Sequence, residues 1–66
     1  MKIYDFTQPE LDVFREKCNF DDDELRCFEL KAKHKSIVQI AMEMNISEPQ
    51  VSKLTKRIMN KIIRVI

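Results

Sequence analysis

Glycine does not occur once in the 66 residues, and proline occurs only at positions 9 and 49. Tight hairpin turns draw on residues that take positive φ easily, so little here favours a β-meander and the good helix formers dominate. No apolar run approaches the roughly 20 residues that span a bilayer, so no membrane segment is expected. The N-terminal MKIYDFTQPELD carries acids and no apolar stretch of the secretory kind, which makes the cytoplasm the expected compartment. Cysteine is scarce as well. Neither Cys18 nor Cys27 sits in a C-x-x-C or beside a second metal-type ligand, and the expected reading is a pair of reduced structural thiols. A glycine-rich phosphate loop and metal-ligand spacings are both lacking. His34 has no Ser, Cys or carboxylate arrangement to serve, so it is a loop residue or a phosphate contact. The expectation is no enzyme, no cofactor, no metal and no small-molecule site.

What remains is 44% hydrophobic and 35% charged, one small soluble domain. A chain this short buries only about 60% of its unfolded surface, so almost every large apolar residue is needed for a core. The formal net charge of +1 conceals a division. Residues 1–30 hold four basic residues against nine acidic ones, whereas residues 31–66 hold eight against only Glu43 and Glu48. The second half therefore attracts polyanions and the first repels them.

Four stretches have the pattern of a capping box, in which a Ser, Thr or Asp oxygen accepts from an exposed N–H and a Glu or Gln three residues on reaches back. They are Thr7-Gln-Pro-Glu10, Asp21-Asp-Asp-Glu24, Ser36-Ile-Val-Gln39 and Ser47-Glu-Pro-Gln50. Each precedes apolar residues at intervals of three and four, and both prolines fall in first turns, where a missing N–H costs little. The sequence thus predicts an all-α bundle with helices at about 8–17, 22–33, 37–44 and 48–64. Expected inner faces are Leu11, Phe14 and Cys18 on the first helix, and Leu25, Phe28 and Cys27 or Leu30 on the second. The third offers Ile37, Ile40, Ala41 and Met44, and the fourth Val51, Leu54, Ile58, Ile62 and Val65. The acids at 21–24 suit a positive helix start better than a calcium loop, which needs alternating ligands and a glycine. Residues 2–6 alternate polar and apolar, so they are expected to lie extended against the body or against a second copy.

Only Asn45 and Ile46 separate Met44 from the cap at Ser47, which forces a sharp helix-to-helix corner. Such a corner wants one residue with positive φ, and Asn45 is the residue that tolerates it. Ile46 then returns to the core. The pattern Ser36-x3-Ile40-Ala41-x4-Ile46-Ser47-x3-Val51, followed by Arg57-Ile58-Met59-Asn60-Lys61-Ile62, resembles the helix-turn-helix of LuxR/GerE-type output domains and is similar to sigma-factor region four. The likeness runs without a gap from about Phe20 to Ile62. It departs where the family usually has a Gly before the Ser, a position occupied here by Lys33-His34-Lys35. The resemblance implies a single DNA-binding domain over 1–66, with 1–19 as an N-terminal arm and extra helix and 20–64 as the helix-turn-helix core. Its implied role is sequence-specific regulation of transcription.

A recognition helix over residues 47–57 places its first turns in the major groove. With Val51 and Leu54 inward, Glu48, Pro49, Gln50, Ser52, Lys53 and Lys56 are the candidate base readers. Lys33, Lys35, Ser36, Ser47 and Arg57 are the candidate phosphate contacts. A second apolar line, Thr55, Met59, Ile63 and Ile66, packs on the first helix or forms the face of a homodimer. The competing reading keeps the helix-turn-helix frame as a protein-interaction module that docks on RNA polymerase or another regulator.

Overall fold

The computed structural model describes residues 3–66. It contains α1 (Gln8–Lys17), α2 (Asp22–Ala32), α3 (Ile37–Met44) and α4 (Glu48–Val65), preceded by a single 3-10 turn at Ile3–Asp5. The four expected helices are all present. α2 stops one residue earlier than expected, with Lys33 as its C-cap, and α4 runs one residue further.

Local chemistry sets these boundaries. Thr7 accepts from the Glu10 N–H at 3.4 Å while Glu10 accepts from the Thr7 N–H at 2.8 Å. Asp21 with Glu24 and Ser36 with Gln39 close the same reciprocal pair at 2.8 and 3.0 Å, and at 3.2 and 3.0 Å. The fourth box is only half formed. Ser47 accepts from the Gln50 N–H at 3.3 Å, but the Gln50 side chain does not return to Ser47. Gln50 lines a cleft beside Lys53 and Arg57 instead.

The helix stops answer the lack of glycine. Asn19, His34 and Asn45 take φ of 52°, 65° and 57°, one in each connection between helices. At Asn45 the Ile46 N–H reaches the Ala41 carbonyl at 3.0 Å and the Asn45 N–H reaches Met42 at 3.3 Å, which together make a Schellman closure. His34 repeats it, with Lys35 N–H to Leu30 at 3.1 Å and His34 N–H to Lys31 at 3.0 Å. The turn before Ser36 is thus made by a histidine in the left-handed region.

All helices share one core, and α4 packs against α1, α2 and α3. Of the expected stripe, Val51, Leu54, Ile58 and Ile62 are buried in one cluster with Phe28, Cys27, Ile40, Leu11 and Phe14, and Val65 is half-buried against it. Ile46 is half-buried against the same cluster. Leu25 is a correction: it is 38% exposed, because the buried side of α2 is formed by Glu24, Cys27 and Phe28 and Leu25 lies about 100° round the helix from Glu24. Residues 3–5 are a second correction. In place of an extended strand, the Phe6 N–H bonds the Ile3 carbonyl at 3.2 Å. A turn of three residues brings Ile3 and Phe6 to one side, where Ile3 is buried and the Phe6 ring meets Phe14 edge-on at 4.8 Å. Lys2 lies outside the described residues.

Among the described residues, two ion pairs join one helix to another. Arg15 on α1 bonds Glu29 on α2 at 2.5 Å, with its guanidinium 5.6 Å from the centre of the Phe28 ring. The Glu29 hydrogen bond, with the charges of Glu29 and Asp12, holds Arg15 above its ordinary pKa against the cost of burial. Lys61 on α4 pairs with Glu24, whose side chain is only 3% exposed, and also donates to the Asn19 carbonyl at 3.3 Å. Among the described residues, no helix is long and apolar enough to cross a membrane.

Candidate nucleic-acid interface

The corner at Asn45 lets α4 leave α3 at once while keeping its core stripe inward. An α-helix turns about 100° per residue, so burying Val51, Leu54, Ile58 and Ile62 along one line turns the residues opposite them outward. Glu48, Pro49, Gln50, Ser52, Lys53 and Lys56 are all exposed, as expected of base readers. They do not form one cluster. Gln50, Lys53 and Arg57 share a cleft of about 290 Å³ with Asp23, Met44, Ile46 and Leu54. Glu48 and Ser52 stand roughly 160° round the helix from Gln50, with Pro49 and Lys56 between.

Of the expected phosphate contacts, Arg57 belongs to that cleft and is exposed. Lys33 is exposed and Lys35 half-buried, on either side of His34 in the α2–α3 turn. Ser36 and Ser47 use a side-chain oxygen as helix caps, which leaves each hydroxyl proton available to an acceptor. Among the described residues, no ion pair engages Lys17, Lys53, Lys56, Arg57 or Arg64. The cationic side of α4 is thus only partly offset, by Asp23 in the cleft and by Glu24 on Lys61.

The second apolar line divides into two halves. Thr55 and Met59 are half-buried, Thr55 with its hydroxyl bonded to the Val51 carbonyl at 2.9 Å and Met59 against the core. Ile63 and Ile66 are 60% and 73% exposed, and Ile66 borders a groove lined by Phe6, Val13, Phe14 and Val65. Both cysteines are free and buried, and desolvation raises each thiol above its ordinary pKa. They are part of the core.

Sequence reasoning missed Asp23, whose place beside Gln50, Lys53 and Arg57 depends on how α2 docks. It also gave Asn60, Lys61 and Arg64 no part in the site, although the spacing of Lys53, Arg57, Lys61 and Arg64 at four, four and three puts them on one line.

No protein-family model, curated protein or solved structure matches this chain.

Proposed function

We propose that the chain is a sequence-specific DNA-binding regulator of transcription, with α4 as the recognition helix in the major groove. The observation that carries this reading is the α3–Asn45–α4 corner, which buries one stripe of α4 and leaves Gln50, Lys53 and Lys56 exposed on its first turns. B-DNA's major groove admits an α-helix. Gln50 is suited to bidentate bonds with adenine, Lys53 to guanine O6 or N7, Glu48 to cytosine N4, and Pro49 to the thymine methyl. Because the Gln50 side chain is not occupied by its cap, its amide is available for this work. Lys33, Lys35, Ser36, Ser47 and Arg57 fit the role of phosphate contacts. The likeness to LuxR/GerE-type domains and to sigma-factor region four points the same way.

One module of this size touches few base pairs, and a second copy is the partner that supplies the rest. The exposed Ile63, and the exposed Ile66 beside Val13, support that arrangement. Binding to mixed-sequence duplexes at low and high salt, with Lys53→Ala and Lys56→Ala alongside, tests the reading. Affinity that falls steeply with salt and weakens in both variants is expected. Absent or salt-independent binding overturns it.

A further inference from the structure

We infer that the flank of α4 from Arg57 to Arg64, closed at its far end by Lys17 of α1, is a second polyanion-binding site that holds the phosphodiester backbone of the bound duplex. The inference rests on the DNA-binding reading and extends it from Arg57, already a candidate phosphate contact, to Lys17 and Arg64, to which that reading gives no part.

Three clefts follow one another along this side of α4. The first holds Gln50, Lys53 and Arg57, the second Arg57, Asn60, Lys61 and Arg64, and the third Lys61 and Arg64 with Lys17 and Asn19. Arg57 borders the first and second, and Lys61 and Arg64 border the second and third, so the three lie in series along one side of α4. Its spine is the line Lys53, Arg57, Lys61, Arg64, and the helical rise from Lys53 to Arg64 is about 16 Å. Phosphates along one strand of a duplex advance about 3.4 Å along the axis, so a groove of that length has several within reach.

Charge along the groove is uneven in a way that favours an extended anion. Two carboxylates border it, Asp23 at the Gln50 end and Glu24 in the middle. Glu24 is paired with Lys61 and 3% exposed, so it presents little negative surface. Beyond it, Lys17 and Arg64 are exposed and engaged in no ion pair among the described residues. The third cleft is thus lined by no carboxylate and carries two cations in no ion pair among the described residues. Lys61 holds the wall together and Lys17 and Arg64 do the binding. A duplex seated with its major groove on the first turns of α4 meets, further down the same helix, a track matched to its backbone. A contact of this kind adds affinity and carries no sequence information.

The test compares the intact chain with Lys17→Ala, Arg64→Ala, their double variant, and Lys53→Ala. Binding to duplexes of several sequences is followed over salt from about 50 to about 200 mM. The double variant is expected to bind more weakly and to lose about 0.9 from the salt slope for each phosphate contact removed, while keeping the wild-type order of preference among sequences. Both side chains are exposed, and circular dichroism of each variant verifies the fold. If the double variant retains wild-type affinity and slope while Lys53→Ala weakens binding, the groove does not touch the backbone and only this inference fails. If the intact chain binds no duplex at the lowest salt, the DNA-binding reading fails and takes the inference with it.

Discussion

Replacing Lys61 by methionine tests how α4 is fixed to the start of α2. Glu24 is 3% exposed at its side chain and accepts from the Asp21 N–H at 3.0 Å as well as from Lys61. Removing one partner of a fully buried ion pair costs about 3–5 kcal/mol, because the other charge stays behind in a poor solvent. Lys61 is itself 31% exposed, so water reaches the site once the ammonium is gone, and the cost falls to about 2 kcal/mol. A domain of this length is stable by about 3–10 kcal/mol in all, and each kcal/mol moves the midpoint of so small a domain by about 4–8 °C. Lys61→Met should therefore lower Tm by roughly 8–16 °C. Glu24→Gln in the same chain removes the orphaned charge and keeps an acceptor for Asp21. The double variant should accordingly be more stable than the sum of the two single effects by about 1 kcal/mol or more. Thermal and urea unfolding followed by circular dichroism gives all four corners of the cycle. A Lys61→Met midpoint within 2 °C of wild type, or strict additivity in the double variant, would refute the argument that this pair ties α4 to α2.

At the corner, Asn45→Gly should be neutral or stabilising, whereas Asn45→Val should cost about 1–2 kcal/mol, since a β-branched residue resists φ of 57°; equal thermal midpoints for all three chains would contradict this. Gln39→Ala should cost about 0.5–1.5 kcal/mol by breaking a reciprocal cap, while Gln50→Ala, whose side chain caps nothing, should stay within about 0.5 kcal/mol yet weaken duplex binding; unfolding and binding measured on the same samples separate the two. Burial raises Cys18 and Cys27 above the ordinary thiol value of 9.0, so the folded state keeps protons that the unfolded chain gives up. Their contribution to stability is complete below that value and declines as pH climbs past it towards the folded pKa values. Urea midpoints at pH 7 and above 9 should show a steeper alkaline loss for wild type than for Cys27→Ala, and parallel losses would count against it.

The helices were legible in the sequence because their signals are local. Thr7, Asp21 and Ser36 each announce a start within four residues, and the α4 stripe is visible as a period. Asn45 was legible for the same reason, since two residues between helices leave no other geometry. Glu24 was not. As the last acid of a cap it reads as surface, and only the docking of α4 turns it into the buried partner of Lys61. Leu25 failed in the complementary way: an apolar residue at helical spacing reads as core, but the burial of Glu24 shifted the inward face of α2 away from it. Ile3 and Phe6 fit alternation and a three-residue turn equally well, and contact with Phe14 decides between them. On the candidate interface, exposure of Glu48, Pro49, Gln50, Ser52, Lys53 and Lys56 followed from the stripe, whereas Asp23 beside Lys53 and Arg57, and Lys17 beside Arg64, join residues far apart in the chain.

Each α-helix carries its own beginning as a side-chain cap, and each junction between helices its own left-handed residue, all within a few positions of chain. Short segments of this kind can flicker into shape alone in well under a millisecond, before any of them has found a neighbour. What is left to search is how four preformed pieces dock, a problem of nearby contacts that small helical proteins solve in microseconds to milliseconds. A newly made copy would spend correspondingly little time with its greasy surfaces open to the rest of the cell.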